Sequence, residues 1–334
     1  MKILFHGNNL SFQSHAGGIQ VRMRNIADHL ILKGHQVDFF NPTTTKIVDY
    51  DVVHFFNLVP EHYDMVRYAF SHHIKVIIST IVPIKDSWKI RLITHLIKHP
   101  MMTIYNKNKS ILEMSTAIIV ESKTEQTFIE STYGISKCKI HVIPNGVDIN
   151  NNKTDEIYEK LGFRRDYILC VGRFDNNKNQ LSVIKALKNE NIDVVFIGGA
   201  PSNSDSYLNK CIEEAKGYDN IHFLGWVDSK SSLLSSAYAN AKVYIFPSFQ
   251  ETFGMVLIEA GVCGANLVIS NTLPILDYTV FSECLTFAPN DINDIKRKAL
   301  TAYHTPKNEN LTNQIVQTFS WDSVINSHIE LYAL

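Results

Sequence analysis

The chain has 334 residues, a formal net charge of −1 and 45% hydrophobic residues. This composition is typical of a folded globular protein with room for two domains, and the near-neutral charge argues against general nucleic-acid binding. The charge is unevenly placed, since residues 1–150 carry 16 Lys and Arg against 12 Asp and Glu, whereas residues 151–334 carry 16 against 21. Two domains with different partners would explain this asymmetry.

The first half of the chain alternates between strand and helix patterns. Residues 19–33 are the clearest helix, with apolar residues three or four positions apart and Gly34 as the stop. Short β-branched runs predict buried strands at residues 3–5, 37–40, 52–56, 76–80, 117–120 and 140–143. A β-α-β series of this length implies a parallel sheet covered on both faces.

The pattern restarts after the segment Pro144-Asn145-Gly146-Val147-Asp148, and the polar residues 150–155 read as a linker. New strands are predicted at residues 167–171, 193–197, 221–224, 243–246 and 266–270. We therefore expect two doubly wound domains that meet near residue 147.

Targeting and redox signals are weak. The five cysteines form no Cys-x-x-Cys pair, so we expect core thiols in a reducing compartment. The opening strand is too short for a signal peptide, and no apolar run approaches the roughly 20 residues that span a bilayer. These features favour a cytoplasmic protein.

Two glutamates eight positions apart follow the strand predicted at residues 243–246. A Pro-Ser pair and Gly254 mark a loop between this strand and a helix, which puts Glu251 in the loop and Glu259 inside the helix. Free N–H groups at a helix start bind anionic or hydroxyl-rich ligands. The two carboxylates could accept hydrogen bonds from the hydroxyls of a nucleotide sugar.

A pair of cations follows another strand. The strand at residues 167–171 runs into Gly172 and Arg173, with Lys178 at a predicted helix start. A guanidinium and an ammonium group can neutralise a leaving diphosphate without a metal. A solvated Arg and Lys in a polar loop is the alternative. Because ligands of open α/β sheets bind at the carboxyl ends of the strands, where Glu251 also lies, we favour the diphosphate site.

These motifs resemble those of the family 4 retaining glycosyltransferases (glycosyl transferases group 1). The matching residues are Gly172, Arg173, Lys178, Pro247, Ser248, Glu251, Phe253, Gly254 and Glu259, with further matches at Asn145-Gly146-Val147-Asp148, Phe223-Leu224-Gly225 and Phe319-Ser320-Trp321. The resemblance implies the GT-B fold, in which two Rossmann-like, doubly wound parallel-sheet domains face each other across a cleft. It implies an acceptor domain at residues 1–147, joined by a last helix at about 319–334, and a donor domain at residues 148–318.

The resemblance also implies roles for single residues. Arg173 and Lys178 would hold the departing diphosphate, Glu251 would meet the donor sugar, and Glu259 would accept the ribose hydroxyls. Further donor contacts would come from Gly17, Gly18, Gly172, Gly199, Val227, Phe253, Gly254 and Met255. We therefore expect Arg173, Lys178 and Glu251 to be catalytic, with a UDP-linked sugar as co-substrate and no metal or other cofactor. Front-face attack would let the departing phosphate take the proton of the acceptor.

The first half departs from the family pattern. Ile81 stands where the family often has a histidine after a strand, and Phe56 occupies a second frequent histidine position. His54 matches a family position at a strand end, and a contact to the acceptor competes there with a structural or solvated role. The donor sugar and the consequence of Ile81 for activity stay open.

Residues 85–109 form a basic segment with six Lys and Arg against Asp86 alone, interleaved with apolar residues such as Trp88. Such a segment can lie on an anionic membrane surface or receive an anionic polymer acceptor. The alternative is an ordinary helix with its lysines in solvent.

The leading hypothesis is a retaining hexosyltransferase, cytoplasmic or peripheral at the inner face of the membrane. It would move a sugar from a nucleotide donor to a cell-surface glycan, polymer or lipid-linked acceptor, without nucleic acid as a partner. The second hypothesis is a non-catalytic relative that binds sugar nucleotide or glycan and stabilises a partner enzyme. A sugar-nucleotide epimerase is third. The absence of a Gly-x-Gly-x-x-Gly motif after either first strand argues against a nicotinamide dehydrogenase.

Overall fold

The computed structural model describes residues 1–7, 18–82, 87–96, 103–148, 153–200 and 206–334. It divides into two compact units, one formed by Met1–Gly146 with Trp321–Leu334 and the other by Val147–Ser320. Each unit is built on a six-stranded sheet whose paired strands all run parallel. The prediction of an α/β protein with parallel sheets is confirmed.

The first unit has the strand order β2-β1-β3-β4-β5-β6. Its strands are β1 Lys2–His6, β2 Gln36–Phe39, β3 Val52–Phe56, β4 Lys75–Ser79, β5 Ala117–Val120 and β6 Ile140–Val142. Its helices before the second unit are α1 Gly18–Leu32, α2 Tyr63–Ser71, α3 Ser87–Leu96, α4 Ile104–Met114 and α5 Lys123–Tyr133.

The second unit has the strand order β12-β11-β10-β7-β8-β9. Its strands are β7 Tyr167–Val171, β8 Asp193–Ile197, β9 Ile221–Phe223, β10 Val243–Phe246, β11 Asn266–Ser270 and β12 Leu285–Phe287. Its helices are α6 Glu156–Leu161, α7 Gln180–Leu187, α8 Ser206–Ala215, α9 Ser232–Asn240, α10 Met255–Val262, α11 Ile292–His304 and α12 Glu309–Phe319. The last helix, α13 Trp321–Ala333, belongs to the first unit.

The strand order fixes where a ligand can bind in the second unit. The chain moves outward from β7 to β9 on one side and, after β9, returns to place β10 on the other side of β7. This reversal is the topological switch point of a Rossmann-type sheet, and ligands bind outside the carboxyl ends of the strands there. The loops after β7 and β10 therefore flank the expected site.

Burial on both faces explains why the strands read as apolar runs. Each sheet is covered by apolar clusters on its two sides, and all residues of β3, β8 and β11 are buried. In the first unit, α1 and α13 supply Met23, Ile26, Ile325 and Tyr332 to one of these clusters. The last helix is thus part of the core of the first unit.

Strand β12 was not predicted from the sequence. This strand has three residues and lies at the edge of its sheet, and an edge strand needs less apolar sequence than a buried central one. Among the helices of the described residues, none combines the length and the hydrophobicity needed to cross a bilayer.

Candidate donor site in the second unit

The loop after β7 carries both predicted cations. Gly172 has a φ of +156°, and its N–H donates to Ile197 O at 2.9 Å. The side chain of Arg173 is 61% exposed and lies 3.9 Å from the carboxylate of Asp175. Asp175 also accepts the backbone N–H of Lys178 at 3.0 Å, so one carboxylate organises the turn between the two cations. This role of Asp175 was not predicted from the sequence.

An ion pair joins this loop to the first predicted glutamate. Lys178 Nζ lies 2.5 Å from Glu251 Oε1, and the two side chains are only 18% and 15% exposed. The ammonium group also lies 5.7 Å from the centre of the Phe246 ring. A charge-assisted pair in a partly buried setting has a fixed geometry, so the structure brings the predicted residues of two different loops together.

Asn177 fastens the two loops independently of this pair. Its carbonyl accepts Phe249 N–H at 2.8 Å, its Oδ1 accepts Gln250 N–H at 3.1 Å, and its Nδ2 donates to Gln250 O at 2.8 Å. Asn179 adds hydrogen bonds from Nδ2 to Pro247 O and Pro289 O, at 3.3 and 2.8 Å. These asparagines were not predicted as site residues, because polar loop residues give no sequence signal for pairing across the 73 positions that separate Asn177 from Gln250.

Gly254 allows the backbone at the start of α10 to lie close to the Phe246 ring. Its φ is +110°, and a Cβ added there would lie 2.8 Å from Phe246 Cε1, so both backbone and space require glycine. Phe253 is buried and packs edge-on against Phe319 and Tyr278. Its side chain anchors the loop, which leaves its backbone for any ligand contact. Leu257 N–H, the third of α10, donates to Gly254 O at 3.0 Å, so the N–H groups of Met255 and Val256 are those that the helix start leaves for a ligand.

The second predicted glutamate lies one turn inside α10. Burial raises the pKa of Glu259, the Tyr238 hydroxyl opposes this shift, and the charge of Asp148 adds to it. Tyr238 is buried on α9 and comes from a segment without a motif, so it was not predicted as a site residue. Glu259 is thus a desolvated acceptor beside a phenol.

Glycine loops continue the sheet edge beyond β7. Gly198 N–H donates to Gly225 O at 2.8 Å, and a Cβ added to Gly198 would lie 2.0 Å from Gly172 O. Gly199 lies against Trp226, whose Cβ would be 3.7 Å from a Cβ added at position 199. Val227 is half-buried and packs against the core. The predicted residues Gly172, Gly199 and Val227 therefore lie along one edge.

The predicted residues of the first unit do not form a comparable cluster in the described part of the chain. Gly17 lies outside the described residues, and Gly18 is the first residue of α1. His54 is fully buried, with Nδ1 2.6 Å from the Tyr332 hydroxyl and Nε2 2.9 Å from Ser79 Oγ. Burial lowers the pKa of His54 well below its ordinary value, as do the nearby His328 and Arg22. Since both ring nitrogens have partners inside the unit, the structure favours the structural role over an acceptor contact.

Ile81 has an unusual backbone. Its φ is +45°, which is rare for a β-branched residue. The buried carboxylate of Glu125 holds both neighbours, accepting Thr80 Oγ1–H at 2.6 Å and Val82 N–H at 3.2 Å. Ile81 stands out in the sequence for its side chain, and its strained conformation was not predicted.

The basic segment at residues 85–109 is described only in part. Lys85, Lys98 and the neighbouring positions 83–86 and 97–102 lie outside the described residues. In the described part, Trp88 and Leu92 of α3 and Ile104 of α4 are exposed apolar side chains. Lys89 Nζ lies 5.6 Å from the centre of the Trp88 ring.

Comparison of folds defines the class of protein. HepE of Anabaena, in a crystal structure with UDP, aligns with 100% of this chain and 100% of its own, at a TM-score of 0.75 and 18% identity. The fold is therefore that of the GT-B glycosyltransferases, as predicted.

Sequence comparison then gives the family. Residues 153–317 match Glycosyl transferases group 1, and residues 43–151 match Glycosyltransferase Family 4. Two curated relatives are an uncharacterized 41.2 kDa protein in the cps region of Klebsiella pneumoniae and the O-antigen chain mannosyltransferase RfbU of Salmonella typhimurium. The first is 25% identical over 69% of this chain and 64% of its own length, and the second 30% identical over 51% and 44%. The chain belongs to the group 1, family 4 glycosyltransferases, and it spans about half to two thirds of the length of these relatives.

Proposed function

We propose that this protein is a retaining, metal-independent glycosyltransferase that moves a hexose from a UDP-sugar to a cell-surface glycan, polymer or lipid-linked acceptor. The observation that carries the proposal is the ion pair between Lys178 and Glu251, with Arg173 on the same loop, at the switch point of the second sheet. A fixed ammonium and an exposed guanidinium beside a carboxylate suit a ligand that has a diphosphate at one end and hydroxyls at the other.

The cations supply the electrostatic part of the reaction. The bond between the anomeric carbon and the leaving phosphate oxygen breaks, while the acceptor hydroxyl oxygen forms a bond on the same face of the sugar. The acceptor proton passes to the leaving phosphate. Arg173 and Lys178 stabilise the negative charge that develops on this phosphate, which is the role a metal ion plays in other transferases. Metal independence is therefore part of the proposal.

The remaining donor contacts follow from the neighbours of this pair. Glu259 accepts the ribose hydroxyls, and the backbone N–H groups at the start of α10 meet the sugar with the positive end of the helix dipole. We take UDP as the nucleotide to test first because HepE, which shares the fold, was crystallised with UDP and with UDP-glucose.

The first unit receives the acceptor in this proposal. Exposed Trp88 and Leu92, with the cations around them, form an amphipathic surface that suits an anionic membrane or polymer. Sedimentation with vesicles of anionic and of neutral lipid tests this contact. Replacing Trp88 and Leu92 together by Ser should abolish binding to the anionic vesicles, and full retention would contradict it.

The reaction is tested with a panel of UDP-, GDP- and ADP-sugars in EDTA, following nucleotide release and thermal stabilisation together. One donor should both stabilise the protein and release its nucleotide. Glu251→Gln should lower the release rate by about 10- to 1,000-fold with a smaller change in donor affinity, since its contacts are to the reacting sugar. The exposed Glu283→Gln is the matched control.

The outcomes separate the competing hypotheses. Stabilisation without release, with glycan and lipid acceptors present, would favour a non-catalytic relative, for which Ile81 at the usual histidine position is the supporting observation. Release that stops in EDTA and returns with Mg²⁺ would contradict the metal-independent mechanism.

A further inference from the structure

Asn177 joins the loops after β7 and β10 in the way that a neighbouring strand would. Its side-chain Oδ1 accepts Gln250 N–H at 3.1 Å, and its Nδ2 donates to Gln250 O at 2.8 Å, so one carboxamide satisfies both backbone groups of one residue. Its own carbonyl accepts Phe249 N–H at 2.8 Å. Three hydrogen bonds to two consecutive residues fix both the distance and the orientation of the two loops.

The place of this contact in the sequence connects it to the ion pair of the site. Asn177 directly precedes Lys178, and Gln250 directly precedes Glu251. Since consecutive Cα atoms are about 3.8 Å apart, the contact lies one residue away from both members of the ion pair. The position of the Glu251 backbone relative to the Lys178 backbone therefore depends on Asn177.

A bound donor weakens the ion pair but not the Asn177 contact. Lys178 and Glu251 meet through long side chains, with Nζ 2.5 Å from Oε1. In the proposed complex a phosphate oxygen of the donor competes with Glu251 for the ammonium group, and a sugar hydroxyl competes with Lys178 for the carboxylate. The hydrogen bonds of Asn177 involve neither charged group, so they hold the two loops together when the donor is bound.

We propose that Asn177 is a positioning residue for the transfer step, because it keeps Glu251 at a fixed position relative to Lys178 while the donor replaces part of their ion pair. This inference rests on the proposed donor site and deepens it. Asn177→Ala removes the two side-chain hydrogen bonds and keeps the bond from Phe249 N–H. The loops then stay joined through one hydrogen bond, about which the Glu251 loop can turn.

The experiment measures nucleotide release from the UDP-, GDP- or ADP-sugar that the wild type uses. Asn177→Ala should lower kcat by about 5- to 50-fold, since misplacement of a reacting group by 1 Å can cost about 100-fold. KM and UDP affinity should change by less than about 2-fold, because Arg173 and Lys178 keep their loop. Asn177 is exposed, so the melting temperature should stay close to that of the wild type.

Asn176→Ala is the matched control. Asn176 is the neighbouring exposed asparagine, and its side chain makes no hydrogen bond within the described residues. This variant should have the kcat, KM and melting temperature of the wild type. A melting temperature and a UDP affinity that fall together with kcat in Asn177→Ala would show a purely structural role and overturn the proposal.

A double-mutant cycle tests whether Asn177 acts through Glu251. In the Glu251→Gln background, Asn177→Ala should lower kcat by less than about 2-fold, because the carboxylate that it positions is already absent. The same loss in both backgrounds would mean that the two residues act independently, and it would overturn the proposal.

The two proposals fail in different ways. A wild-type kcat in Asn177→Ala, together with a clear loss in Glu251→Gln, would overturn the positioning role and leave the donor site intact. No nucleotide release by the wild type from any sugar of the panel, with acceptors present, would overturn both.

Discussion

At Glu259 the requirements of donor binding conflict with those of the stability of the folded protein. Burial raises the pKa of Glu259, and the Tyr238 hydroxyl counters this shift in part. An ionised carboxylate accepts hydroxyl hydrogen bonds at both oxygens, whereas protonation turns one of these oxygens into a donor. The environment that makes Glu259 a strong acceptor therefore also makes its charged form costly in the folded protein.

The pH dependence of Glu259 follows from this conflict. Because its folded-state pKa lies above the ordinary value of 4.5, its contribution to stability is fully present below that value and is lost as pH rises through the raised pKa. Glu259→Gln should therefore raise the melting temperature at pH 7–8 while it weakens UDP binding. Thermal unfolding and UDP titration between pH 5 and pH 8 check both effects. A lower melting temperature in this variant at pH 8 would contradict the argument.

Ile81 and Asn57 offer a matched test of backbone strain. Both have positive φ, at +45° and +79°, and both follow central strands of the first sheet. Asn tolerates this conformation, whereas a β-branched residue does not. Ile81→Asn should stabilise the protein by about 1 kcal/mol, and Asn57→Ile should destabilise it by about 1–2 kcal/mol.

Urea unfolding of the two variants measures these changes. The Ile81 side chain is partly buried, so its replacement by Asn also loses some apolar burial and the gain is the smaller of the two effects. Destabilisation of both variants by equal amounts would show that packing, and not backbone strain, dominates at Ile81.

At the scale of elements, the last helix is held to the first unit by a tight contact. The ring of Trp321, the first residue of α13, lies on Gly146, where an added Cβ would be 2.3 Å from Cδ2 and Cε3 of the indole. The same ring stacks on His29 of α1, with ring centres 4.8 Å apart. Close packing against Trp321 therefore explains why a glycine follows the asparagine at this junction.

Gly146→Ala should destabilise the protein by about 1–3 kcal/mol, because the added methyl group overpacks the contact with Trp321. Gly199→Ala is the control for stability, since its Cβ would meet Trp226 at an ordinary 3.7 Å. Denaturant titration compares the two. Equal stability of both variants would mean that α13 moves away at little cost.

For the molecule as a whole, the apolar periodicity of the sequence predicted the parallel sheets, since strands buried on both faces leave continuous β-branched runs. It also predicted Glu251 in the loop and Glu259 in α10, because Gly254 marks the helix start. The pairing of Lys178 with Glu251, the fastening by Asn177 and the position of Tyr238 could not be predicted. These contacts join residues far apart in sequence, and only the strand order brings them together.

The two units also differ in how well sequence indicated function. In the second unit the predicted residues cluster at the switch point, because the site is built from loops with glycine and charge signals. In the first unit His54 turned out to be a core residue with both nitrogens bonded. A histidine at a strand end gives the same sequence signal whether it faces a ligand or a neighbouring helix.

The central claim is that the edge formed by the loops after β7 and β10 binds a nucleoside diphosphate. The most direct measurement is calorimetric titration of UDP, in EDTA, into the wild type, Arg173→Ala, Glu259→Ala and the exposed Glu283→Gln. We expect Arg173→Ala to lose about 10- to 150-fold in affinity, the value of charged hydrogen bonds of about 1.5–3 kcal/mol, without loss of stability. Glu259→Ala should also weaken binding, and Glu283→Gln should not. Unchanged UDP affinity in both Arg173→Ala and Glu259→Ala would contradict the site.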